Sequence, residues 1–137
     1  MRIRVLLAIG FDACCVLAFV VIGRASHTKG ETLGGIASTS WPFLAGLAIG
    51  WLATWAWARD RTRPGTARQR PGPGWRPAAV APAGLIAWLA TVALGMTFRV
   101  ISGQGTAVAF IGVALVFLGL FLLGWRLLTR YIQVIRS

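Results

Sequence analysis

Acidic residues are nearly missing from this chain. Asp12, Glu31 and Asp60 are the only carboxylates among 137 residues, against fourteen lysines and arginines. Histidine occurs once, at His27, and cysteine twice, at the adjacent positions Cys14 and Cys15. These shortages exclude a good deal. Neighbouring helical positions point about 100° apart, which does not suit a disulfide between Cys14 and Cys15. One histidine and two cysteines inside an apolar run do not make a metal-ligand set. Glycine-rich phosphate loops and nucleophile elbows are also missing from the sequence. The expectation is a protein without enzymatic chemistry, metal or cofactor.

What is plentiful is apolar sequence. Hydrophobic residues make up 57% of the chain and charged ones 12%, with a mean hydropathy of +0.73. A soluble domain has about 45–50% apolar and about 25% charged residues. Here the apolar residues form four long blocks, at about 5–23, 41–58, 81–98 and 106–128. Eighteen helical residues extend roughly 27 Å, close to the roughly 30 Å hydrocarbon thickness of a bilayer. The fold expected is all-α: one four-span integral membrane domain over 1–137, packed as an antiparallel bundle. Met1-Arg2-Ile3-Arg4 ahead of an apolar run also has the form of a signal peptide. The run exceeds the usual length of about 7–15 residues and carries Asp12, which favours a retained span.

The connections differ in kind. Ser102-Gly103-Gln104-Gly105 is a tight turn that sets the third and fourth blocks side by side. Residues 24–39 read as a longer polar link, with Ser40 capping the second helix and Pro42 in its first turn. Residues 59–77 hold six arginines and most of the prolines, which reads as a mobile, solvated loop over anionic lipid headgroups.

Charge then sets orientation. Eleven basic residues fall on the side of the termini and the 59–77 loop, against Arg24, Lys29 and Arg99 on the other. The positive-inside rule places both termini in the cytoplasm and the protein in the cell membrane. The net charge of +11 is therefore a topology and lipid signal, and nucleic-acid binding is not expected.

Three groups of residues carry candidate roles. Asp12 sits in mid-span, where a carboxylate costs roughly 2.5–3.5 kcal/mol on insertion scales and must face protein or water. It can be a protonated or hydrogen-bonded packing residue, half of an ion pair with Arg126, or a proton or ligand site. Arg24, Ser26, His27, Arg99, Gln104 and Thr106, with Trp41, fall at the outer rim, as a polar cluster receptive to anions or as ordinary snorkelling residues. Gly46 and Gly50, and Thr91 and Gly95, mark small-residue faces for helix packing, inward or toward a second copy. Trp51, Trp55 and Trp57 read as an interfacial aromatic belt.

Several stretches together resemble one family: Phe11-Asp12-Ala13, Ile22-Gly23-Arg24 with Ser26-His27, Trp41-Pro42-Phe43, Gly50-Trp51, Gly95-Met96 with Arg99, Gly103-Gln104-Gly105-Thr106-Ala107, and Leu123-Gly124-Trp125-Arg126. They are similar to the small membrane proteins known as domain of unknown function 3054. That resemblance implies a four-span membrane protein and supplies no catalytic residues. Two functions stay open: a structural or accessory membrane component, self-associating or bound to other membrane proteins, and a small oligomeric transporter or channel for an ion or small solute that uses Asp12.

Overall fold

The computed structural model describes residues 2–25, 32–61 and 79–135. Most of the 59–77 loop, together with Ser26, His27 and Lys29, lies outside the described residues. Among the described residues four helices carry the fold: α1 (Arg2–Ala25), α2 (Leu33–Arg61), α3 (Leu85–Ile101) and α4 (Val108–Ile135). A loosely wound turn, Val80–Gly84, leads into α3, with Ala81 extended and a cis Ala81–Pro82 peptide. Each of the four spans is long and apolar enough to cross a membrane. This is a multi-pass membrane protein.

The helices alternate in direction and stand in a ring. Each packs against its neighbours in chain order, α4 closes back on α1, and the backbones of the diagonal pairs keep apart. One end of the ring, the hairpin end, holds the end of α1, the start of α2 and the α3–α4 turn. The other, the terminal end, holds the starts of α1 and α3 and the ends of α2 and α4.

The tightest seam is α2 on α3, and its cause is the absence of side chains. A methyl added at Gly46 would lie 3.0 Å from Ala90 O and 3.1 Å from both Gly95 N and Thr91 O. At Gly95 it would lie 2.6 Å from Phe43 Cδ1. Lipid tails are as apolar as leucine, so helices in a bilayer gain from this kind of close backbone approach. The small faces of α2 and α3 are therefore turned toward each other.

Helix α2 begins earlier than the sequence suggests, and Ser40 does not cap it. Thr32 does, its Oγ1 accepting from Gly35 N at 3.2 Å, while Ser40 Oγ donates to Ala37 O within the helix. Pro42 is correspondingly an interior residue. A proline there cannot donate to Ser38 O and leaves that carbonyl open. The Gln104 side chain fills it from the α3–α4 turn, Nε2 donating to Ser38 O at 2.9 Å. That turn is tight because Gly103 and Gly105 take φ of +72° and +69°, a region other residues rarely enter.

Midway along the helices the ring is filled by Val16, Leu47, Val92, Ala114 and Leu118. Trp88 ties α3 to α4, its Nε1 donating to Leu115 O at 3.0 Å with the indole lying on Gly119.

Candidate functional site

Two polar regions stand at different depths with an aromatic layer between them. The deeper one surrounds Asp12, placed by α1 inside the ring with its side chain fully buried. Arg126 comes from the last third of α4, also fully buried. The two meet bidentately: Nη1 donates to Oδ1 and Nη2 to Oδ2, each at 2.7 Å. This paired fork is the strongest geometry open to a guanidinium and a carboxylate.

Two indoles complete the shell. Trp51 Nε1 donates to Oδ2 at 3.1 Å from α2, and Trp125 Nε1 to Oδ1 at 2.9 Å from α4. The carboxylate thus accepts four hydrogen bonds, which removes the usual penalty of a buried acid left short of donors. The Trp125 ring also lies 4.6 Å from the Arg126 guanidinium carbon, close enough for cation–π attraction. Sequence reasoning assigned Trp51 to an interfacial belt; the structure corrects this, because Trp51 is buried. Trp55 and Trp57 are exposed, and Arg59 lies over Trp55 at 4.4 Å.

Arg126 has a further requirement. Nη1 also donates to Leu122 O at 2.6 Å, one turn back on its own helix. Gly84 makes room for the side chain: a methyl there would stand 2.8 Å from Arg126 Cδ. Nε of Arg126 is buried and has no hydrogen-bond partner among the described residues.

Two turns along α1 from Asp12 is Phe19. Its ring contacts Phe43 at 5.4 Å, Phe117 at 5.5 Å and Phe110 at 5.9 Å between centroids. This cluster closes the interior between the ion pair and the hairpin end.

Beyond it lies a half-open cavity of about 470 Å³, bordered by Arg24, Thr39, Arg99, Gln104 and Thr106, with Phe19 and Phe110 beneath. Arg24 Nη1 donates to Thr39 Oγ1 at 3.1 Å, and its guanidinium rests against Gly35. Arg99 Nη1 donates to Gln104 Oε1 at 3.0 Å and Nη2 to Gly105 O at 3.3 Å, over the Phe110 ring at 4.7 Å. Arg24, Arg99, Gln104 and Thr106 therefore border one cavity, while Trp41 stacks on Phe98 beside it. Gln104 links the Pro42 defect to Arg99, since one end of its amide serves Ser38 and the other the guanidinium. Replacing Gln104 by leucine should loosen the α3–α4 turn at a cost of about 1–3 kcal/mol, because Ser38 O and Arg99 both lose a partner. Faster amide exchange at residues 102–106 is the measurement.

The family model described as "Protein of unknown function (DUF3054)" matches residues 9–129. The chain belongs to the DUF3054 family. Within this DUF3054 chain the matched segment takes in Asp12, Trp51, Trp125 and Arg126 as well as both cavity arginines. No curated protein and no solved structure matches the chain. Among the described residues no cluster of histidine, cysteine or carboxylate is suited to a metal ion.

Proposed function

We propose that the protein is a subunit of a small transporter or channel for an ion or small solute, without enzymatic activity. The observation that carries this reading is the fully buried Asp12–Arg126 pair inside a spanning helix ring. Burying two charges is costly, and well-packed apolar residues of similar volume commonly serve stability as well or better. The Gly46 and Gly95 seam already brings α2 and α3 together without polar help. Ionisable groups kept inside a membrane are therefore functional candidates first, as parts of ion or solute paths. The order cavity, aromatic layer, ion pair along one axis suits an opening, a seal and a charge site.

The basic bias of the chain supports cytoplasmic termini, with the 59–77 arginines against anionic headgroups and the cavity facing outward. Four helices enclose little space, which favours assembly from several copies. A structural or accessory role draws its support from the saturated hydrogen bonding of Asp12, the arrangement of a clasp.

Purified protein in liposomes separates the two. Asp12→Asn combined with Arg126→Gln removes both charges while leaving an amide at each position to hydrogen-bond. Transport predicts that wild-type protein dissipates an imposed gradient of at least one of protons, potassium, chloride or acetate, and that the folded double variant loses the flux at least tenfold. Wild-type vesicles as tight as empty ones for all four, or full flux in the double variant, would reject the reading.

A further inference from the structure

The cavity at the hairpin end combines two chemistries in one space. Arg24 and Arg99 reach its edge from α1 and α3, Thr39 and Gln104 add a hydroxyl and an amide, and Phe19 with Phe110 give it an apolar floor. Its volume of about 470 Å³ falls inside the roughly 300–1,000 Å³ of small-molecule sites. Among the described residues Arg99 meets only neutral oxygens and the Phe110 ring, so no described carboxylate cancels its charge. Its Nε is buried and lacks a hydrogen-bond partner among the described residues. Thr39 holds Arg24 in place just as Gln104 holds Arg99. Side chains that only snorkel toward water need no such tethers. Anchored guanidiniums are preorganised for oxyanions, whose geometry matches the guanidinium fork.

We infer that this cavity binds a small amphipathic anion, its carboxylate or phosphate head at Arg24 and Arg99 and its apolar body over Phe19 and Phe110. This deepens the transport reading by naming the class of cargo, and it is tested by binding alone, so that flux and binding can fail separately. The same chemistry can come from a dissolved organic anion or from an anionic lipid, and the experiment distinguishes them.

The protein is placed in phosphatidylcholine nanodiscs and titrated with 4-fluorobenzoate, or with neutral 4-fluorobenzamide, under fluorine NMR. Benzoate should broaden well beyond its level with empty discs, and benzamide should not. Arg24→Gln and Arg99→Gln should each weaken the benzoate effect at least tenfold, with lysine at either position retaining part of it. Phosphatidylglycerol added to the discs distinguishes the sources: loss of benzoate binding assigns a lipid headgroup, and unchanged binding a dissolved anion. If the glutamine variants fail to fold, the benzoate–benzamide comparison on wild-type protein decides. Equal broadening by both probes overturns the assignment, as does benzoate binding that survives both glutamine variants. So does a lack of benzoate binding in phosphatidylcholine without phosphatidylglycerol retained through purification.

Discussion

Asp12→Ala should cost about 3–5 kcal/mol of stability, the range for removing one partner of a buried ion pair. The loss arises less from the missing attraction than from what is left behind. Arg126 would remain fully buried with two donors unmet, and the Trp51 and Trp125 indoles would lose their acceptor. Arg126→Ala should do comparable damage, since Asp12 would keep only the two neutral indole donors. The double variant Asp12→Leu with Arg126→Met leaves no charge buried and should regain most of the loss. Unfolding in mixed micelles, followed by tryptophan emission, measures all four proteins. A single Asp12→Ala variant as stable as wild type would mean that the pair is solvated, contrary to the burial found here.

Gly46→Leu should be the most damaging substitution on the α2–α3 seam. Overpacking a core costs about 1–3 kcal/mol, and more where the obstacle cannot rotate away. The obstacles at Gly46 are the carbonyls of Ala90 and Thr91 and the amide of Gly95, so the whole of α3 must retreat. Gly112 and Gly124 are controls, because an added methyl meets nothing within 4 Å at either. Alanine there should be neutral or better by as much as about 1 kcal/mol from helix propensity. The same micelle titration reads the difference. Equal stability of Gly46→Leu and Gly112→Ala would show that the seam does not hold the bundle together.

The number and rough extent of the helices are plain in the sequence because four apolar blocks of bilayer length leave few other folds. Asp12 and Arg126 are equally easy to pick out, since charges within such blocks are rare. Their shell is harder. Trp51 and Trp55 stand one turn apart in an aromatic-rich stretch, and only packing makes one a hydrogen-bond donor to Asp12 and leaves the other exposed. The start of α2 is misleading for a physical reason. Proline favours a first helical turn because it lacks a donor, yet Pro42 is accommodated in the interior by a glutamine 62 positions along the chain. No local pattern encodes that repair. Arg24, Arg99, Gln104 and Thr106 are recognisable as rim residues. Thr39, Phe19 and Phe110 become their neighbours only once the ring closes.

The bidentate contact between Asp12 and Arg126 also has an electrical consequence. A transmembrane voltage does work of about 2.3 kcal/mol per 100 mV on each unit charge carried across the bilayer. Opposite charges locked 2.7 Å apart sum to zero, so the voltage does almost no net work on them while they travel as a unit. In an energised membrane the pair, moving as one unit, would draw almost nothing from the resting potential.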